Sequence, residues 1–153
     1  MGSQELPSAG ISDNSKESLL LLKFYYRSYP DLPKRTLFPL IDIEIFSHPA
    51  KNWERISNVL VDTGASVSLL PFSIGALLMP RVKSGSFLLI GGIIPKVGMK
   101  TWMHTLKIRI EKMEFMAPVA VAEKEIIPIL GRQKAMDRFV LSFYKGKFLT
   151  LRK

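Results

Sequence analysis

The chain of 153 residues contains no cysteine, which excludes disulfide bonds, cysteine nucleophiles and thiolate metal sites. Only two histidines are present, His48 and His104, and their separation matches no metal-ligand spacing, so zinc hydrolase chemistry is excluded as well. We predict neither a metal ion nor an organic cofactor. The lack of cysteine is compatible with a reducing compartment, and we expect a cytoplasmic protein.

Long apolar runs are also missing. The longest one near the N-terminus is Leu19–Leu22, which Lys23 interrupts, whereas a membrane-spanning helix needs about 20 apolar residues. Acidic and polar residues precede this run and no small-residue cleavage site follows it, which argues against a secretory signal. No membrane segment is predicted in this chain. Met1-Gly2-Ser3 is typical of a cloning remnant, so tethering through a missing upstream segment stays open.

Acidic residues are scarce relative to basic ones: 13 Asp and Glu stand against 22 Lys and Arg, giving a net charge of +9. The basic residues are spread along the chain without a long block, which favours a solvated surface over nucleic-acid contact or steering of acidic partners. Phe24-Tyr25-Tyr26 could suggest a base-stacking platform, but consecutive residues of a strand point to opposite faces. We expect no nucleic-acid partner.

The organisation of the chain is that of one domain after a tail. Residues 1–18 are rich in Ser, Gly, Asn and Asp without periodicity and predict a flexible tail, whereas residues 19–153 are long enough for one core. Alternation of apolar and acidic residues over 41–45, and similar patterns later, predict about nine short strands. Helix-forming stretches lie near 72–78 and 133–138. The predicted fold is mostly β, a closed, barrel-like domain with one or two short helices.

The most informative motif is Asp62-Thr63-Gly64-Ala65, which directly follows the apolar run Val59–Val61. An ionised carboxylate at the end of a buried strand is costly to desolvate, so its presence asks for a reason. The Thr63 hydroxyl can form hydrogen bonds, and Gly64 allows a close backbone approach. The motif therefore predicts acid–base work by Asp62 on a water molecule, with a simple turn after a strand as the alternative.

A second motif is the apolar run that ends in Gly131-Arg132. Together, VLVDTGASVSLLP and PILGRQKAMDRF resemble the retropepsin-like aspartic proteases, the single-lobe relatives of pepsin, and the resemblance extends from Phe24 to the C-terminus. It implies an acid-protease lobe with its active site at a C2 dimer interface. The chemistry needs two carboxylates and the chain has one Asp-Thr-Gly triplet, so a second copy has to supply the other.

The resemblance assigns roles to the first motif. Asp62 from each copy would form the catalytic pair, and Thr63 would form hydrogen bonds across the dimer that lock the two loops. Gly64 would accept the substrate backbone, and Ala65 would line the substrate-binding site.

The second motif would support this loop. Gly131 would permit close packing against the catalytic loop, and Leu130 would press on it from below. In the family, the arginine at the position of Arg132 pairs with an acid soon after the triplet, where this chain has Ser66. Arg132 is therefore expected to reach Asp137, with backbone carbonyls or the dimer partner as alternatives.

A glycine-rich segment lies between strands predicted at 87–90 and 105–110. It contains Gly91, Gly92, Ile93 and Ile94, and its position is that of the retropepsin flap, the hairpin that covers a bound peptide. These four residues are predicted to bind substrate, and a plain turn is the alternative interpretation.

The sequence thus predicts a homodimeric aspartic-type endopeptidase that hydrolyses peptide bonds in extended protein or peptide substrates. The rival hypothesis is a non-catalytic β-barrel that uses the same fold to dimerise or to bind a partner such as RNA. The joint presence of Asp, Thr and Gly favours the enzyme, because a binding module has no reason to keep all three.

Overall fold

The computed structural model describes residues 20–33, 35–92 and 97–153, so the predicted N-terminal tail lies outside the described residues. The strands are β1 (Leu21–Tyr25), β2 (Arg27–Ser28), β3 (Leu37–Phe38), β4 (Leu40–Ser47), β5 (Asn52–Val61), β6 (Ser68–Leu70), β7 (Ser86–Gly91), β8 (Gly98–Ile110), β9 (Met113–Ala122), β10 (Ile129–Leu130), β11 (Val140–Tyr144) and β12 (Phe148–Arg152). The helices of these ranges are α1 (Phe72–Leu78) and two 3-10 helices, Val82–Ser84 and Met136–Arg138.

Six strands close into a barrel in the order β4-β5-β10-β6-β9-β8, and a pairing between β8 and β4 completes the ring. Strand β7 extends the barrel as the hairpin partner of β8. Most neighbours are antiparallel, but β10 runs parallel to β5, and β6 runs parallel to β9. The predicted mostly-β, barrel-like single lobe with short helices is confirmed.

Strand β4 shows how the sequence fills the barrel. Its isoleucines Ile41, Ile43 and Ile45 are buried, whereas Asp42 and Glu44 between them are only half-buried. This is the period-2 pattern of a strand with one face on the core. Each buried isoleucine contributes about 1.5–3 kcal/mol relative to an exposed one, so the alternation fixes which face of the strand points inward.

The first and the last two strands of the described residues form a separate three-stranded sheet, the terminal sheet, with the order β1-β12-β11. Leu149 and Leu151 on the central strand are fully buried, and Leu22 and Phe24 of β1 pack against the same core. One face of this sheet therefore covers the barrel and the other faces outward.

Strand β8 is longer than the sequence predicted, because it begins at Gly98 rather than near residue 105. The alternation of apolar and polar residues did not reveal this earlier start, because Thr101 is polar and yet fully buried. Its hydroxyl donates a hydrogen bond of 2.7 Å to the Leu88 carbonyl of β7, which makes burial of this polar group acceptable.

A cluster of charges on the barrel surface is centred on Asp42. Its carboxylate accepts hydrogen bonds from the guanidinium of Arg27 at 2.9 Å, from that of Arg55, and from the Asn58 backbone N–H at 3.1 Å. Burial alone would raise the pKa of Asp42, but the hydrogen bonds from Arg55 and Arg27 outweigh it and lower this pKa to about 2.

We expect Asp42 to make the protein less stable in acid. Because the folded pKa lies below the ordinary value, the contribution of Asp42 is present above about pH 4 and is lost as the pH falls towards 2. In urea unfolding, the free energy of unfolding should fall between about pH 5 and pH 2.5 for both proteins. The fall should be about 2 kcal/mol smaller for Asp42→Asn than for the wild type. Asp31→Asn, at an exposed position, should match the wild type. Equal losses in wild type and Asp42→Asn would contradict this prediction.

Candidate active site

The Asp62 loop begins where β5 ends, beside the short strand β10. The Asp62 backbone N–H donates to the Leu130 carbonyl at 3.2 Å, which continues the parallel pairing of the two strands by one residue. The Ala65 N–H then donates to the Asp62 carbonyl at 3.1 Å and closes a tight turn. Asp62 is half-buried in this turn, whereas Thr63 and Gly64 are exposed.

The carboxylate of Asp62 is held by its own loop. The Gly64 N–H donates to Oδ1 at 2.8 Å, and a Cβ at position 64 would lie only 3.2 Å from the same oxygen. Glycine therefore allows the backbone to approach the carboxylate. Among the described residues no cation pairs with Asp62, so the Gly64 N–H is the group seen to hold its carboxylate.

The segment after β10 holds the other side of the loop. The Arg132 N–H donates to the Ala65 carbonyl at 3.0 Å, and the Gln133 N–H donates to the Ser66 carbonyl at 2.8 Å. Together with the bond at Asp62, these contacts fix the loop at its start and at its end. A loop that is held in this way keeps its carboxylate in one place, which catalysis by a positioned group requires.

Gly131 is where this segment comes closest to the loop. A Cβ there would overlap the backbone of Val67 and would lie 2.8 Å from the Ser68 nitrogen. The Gly131 N–H donates to the buried Ser68 Oγ at 3.0 Å, and the neighbouring Leu130 is 1% exposed. Ser68 is the supporting residue that sequence reasoning missed, because nothing in the local pattern of β6 distinguishes its hydroxyl from an ordinary serine.

The preferred partner of Arg132 is not found. No ion pair joins Arg132 and Asp137, both of which the structure describes as exposed. Instead the Asp137 N–H donates to the Arg132 carbonyl at 3.0 Å, in the turn that follows Gly131. Arg132 supports the loop through its backbone, since Ser66 offers no charge for the guanidinium.

The predicted flap segment joins β7 and β8. These strands form an antiparallel hairpin whose last described pair is Gly91 with Gly98. Gly91 and Gly92 are exposed, and a Cβ on either would meet no atom within 4 Å, so packing does not explain these glycines. Ile93 and Ile94 lie outside the described residues. The hairpin is present, and its action as a flap stays a prediction.

The two histidines take no part in this loop. His104 is half-buried on β8, where its Nε2 lies 2.7 Å from the Val82 carbonyl, and His48 is exposed in a turn. Within residues 20–33, 35–92 and 97–153, no group of three or more metal-binding side chains is found. In the same ranges, no helix has the length and apolar character that crossing a bilayer requires.

Solved structures with the same architecture were found by comparison. A retropepsin-like aspartic protease from Rickettsia conorii matches with a TM-score of 0.59 and 20% sequence identity, over 88% of this chain and 93% of that chain. The EIAV protease in complex with an inhibitor matches with a TM-score of 0.44 and 23% identity, over 69% and 88% of the two chains. No protein-family model and no curated protein matches the chain.

The likeness to the Rickettsia structure shows that this chain has a retropepsin-like fold. The similarity covers nearly the whole of both chains, so it includes the barrel that carries the Asp62 loop. The likeness establishes the fold, a single retropepsin-like lobe, and activity is a separate question.

Proposed function

We propose that this protein is a homodimeric aspartic endopeptidase. The observation that carries the proposal is the Asp62-Thr63-Gly64 turn, which hydrogen bonds from Asp62 to Leu130 and from Arg132 to Ala65 hold inside a retropepsin-like barrel. Both parts are needed, because an Asp-Thr-Gly turn alone also suits an ordinary loop, and the fold alone implies no activity.

Two copies of Asp62 would supply the acid and the base. Like charges about 3 Å apart do not both ionise easily, so the pair holds one shared proton. The ionised carboxylate takes a proton from water as the water oxygen attacks the carbonyl carbon, and the protonated one gives its proton to the carbonyl oxygen. The tetrahedral gem-diol then collapses: the C–N bond breaks, the nitrogen leaves with the proton held by one carboxylic acid, and a gem-diol hydroxyl returns a proton to the other carboxylate. The pair again holds one proton.

A second chain is needed because this chain does not supply two catalytic carboxylates. It contains a single Asp-Thr-Gly triplet, and no other acid is placed beside Asp62 by the loop. Thr63 and Gly64 are exposed at the turn, so a second copy can approach them. We assign Thr63 the hydrogen bond that joins the two loops, in a C2 arrangement where each turn meets its own mate.

The substrate would be an extended peptide with apolar side chains. Such a peptide can add backbone hydrogen bonds in the manner of a strand between the Asp62 loop and the β7–β8 hairpin. The hairpin is unusually apolar for an exposed element, with Phe87 60%, Leu89 56% and Val97 64% exposed. We assign Gly91 and Gly92, with Ile93, Ile94 and Ala65, to the covering and lining of the bound peptide.

Incubation with a denatured protein mixture tests this function, with the cut sites mapped by mass spectrometry. We expect cleavage next to apolar side chains, inhibition by a statine-type compound, and activity that favours mildly acidic pH because the pair must hold one proton. Absence of cleavage, or a rate that rises steadily to about pH 9, would contradict the proposed acid–base pair.

A further inference from the structure

The outer face of the terminal sheet carries a row of aromatic rings. The strand register places Tyr25 of β1, Phe148 of β12 and Tyr144 of β11 side by side. The ring centroids of Tyr144 and Phe148 are 4.8 Å apart and stacked, and those of Tyr25 and Phe148 are 5.9 Å apart. Consecutive residues cannot share a face, but three residues from three strands do.

Lysine amines lie over these rings. The Lys23 Nζ is 4.0 Å from the ring centroid of Phe148 and 4.8 Å from that of Tyr25. The Lys145 Nζ is 5.7 Å from the centroid of Tyr144. We call these five residues the aromatic–basic face.

The surroundings of the aromatic–basic face carry charge of one sign. No Asp or Glu occurs in residues 20–28 or 139–153, which supply all three strands of the sheet. The same stretches contain six cations: Lys23, Arg27, Lys145, Lys147, Arg152 and Lys153. Among the described residues, Arg27 is the one of these cations that pairs with an acid, Asp42. The others concentrate positive charge around exposed aromatic rings, since Tyr25 is 64% and Tyr144 49% exposed.

We propose that the aromatic–basic face binds single-stranded nucleic acid. Bases stack on aromatic side chains while lysine and arginine contact the phosphates, and this combination is the usual basis of sequence-tolerant single-strand binding. A second copy is disfavoured as the occupant, because two such faces would bring lysines against lysines. A bilayer is disfavoured too, because Lys23 holds a charge over the middle of the aromatic row. This function is independent of peptide hydrolysis.

The test is fluorescence anisotropy with the full chain and a labelled oligouridylate of about 20 nucleotides. We expect Tyr25→Ala and Tyr144→Ala each to weaken binding by about tenfold, the effect of losing one stacked base. Tyr144→Phe keeps the ring and should bind as the wild type does. Phe87→Ala removes an equally exposed ring from another sheet and should have no effect.

The salt dependence of oligonucleotide binding tests whether the lysines contact phosphates. Between about 50 and 200 mM salt, Lys23→Gln combined with Lys145→Gln should reduce the slope of log K against log salt by about 1.4, or about 0.7 for each phosphate contact. Lys112→Gln, an exposed lysine in the turn between β8 and β9, is the matched control and should keep the wild-type slope. Asp62→Asn should bind as the wild type does, which separates this site from the proposed active site.

Three results would overturn the proposal. The first is oligouridylate binding that the two alanine variants leave unchanged in proteins whose circular dichroism is native. The second is binding to phosphatidylserine vesicles without binding to the oligonucleotide. The third is loss of a dimer in Tyr25→Ala or Tyr144→Ala by light scattering, which would make the face a contact between copies.

Discussion

Replacing Asp62 by asparagine is expected to abolish peptide hydrolysis, with a fall in kcat of at least about 1,000-fold. The asparagine side chain has nearly the same shape, and its oxygen can still accept the 2.8 Å hydrogen bond from the Gly64 N–H. The turn should therefore keep its conformation. The amide cannot take a proton from water at neutral or acidic pH, so the pair loses its base.

The measurement is cleavage of a peptide chosen from the mapped cut sites, with urea unfolding as the check on the fold. Asp31→Asn is the matched control, because it makes the same chemical change at an exposed position and should keep full activity. A purified Asp62→Asn protein that cleaves at the wild-type rate would remove Asp62 from the mechanism.

Replacing Gly131 by alanine is expected to give the largest loss of stability, about 3 kcal/mol in the free energy of unfolding. The added Cβ would overlap the Val67 backbone, and backbone atoms cannot move aside as the end of a flexible side chain can. Moving the segment away would also break the buried bond from the Gly131 N–H to Ser68 Oγ. The Asp62 loop would lose its close packing against the segment that contains Gly131, so peptidase activity should fall as well.

Gly91→Ala is the control for this experiment. A Cβ at position 91 meets no atom within 4 Å, and the residue has no positive φ, so the free energy of unfolding should change by less than about 0.5 kcal/mol. Urea unfolding of both variants beside the wild type measures the difference. Equal stability of Gly131→Ala and Gly91→Ala would show that the close contact at Gly131 is not needed.

The parts of the fold that the sequence predicted are those that depend on local patterns of residues. The alternation over 41–45 identified β4, and the apolar run before Asp62 identified β5, because each strand has one face on the core. The helix over 72–78 was predicted at the bounds that α1 has. The predicted start of β8 was wrong. Burial of Thr101 depends on a hydrogen bond to a carbonyl of β7, which no local pattern reveals.

The candidate site divides in the same way. The Asp62 turn was predicted from a short-range motif, and the close packing of Gly131 was predicted from the resemblance to the retropepsin-like proteases. The contacts of Ser68 and Arg132 were not, because they depend on how β6, β10 and the following turn meet in space. The row formed by Tyr25, Tyr144 and Phe148 was hidden for the same reason, since its members come from both ends of the chain.

The most direct test of the account is a mixing experiment on the two copies of Asp62. Wild-type and Asp62→Asn chains are unfolded together and refolded, so that subunits pair at random, and peptidase activity is measured against the wild-type fraction. If each site needs a carboxylate from both chains, an equal mixture keeps about one quarter of the wild-type activity, and the activity follows the square of the fraction. An equal mixture that keeps about one half, in linear proportion, would contradict the shared site.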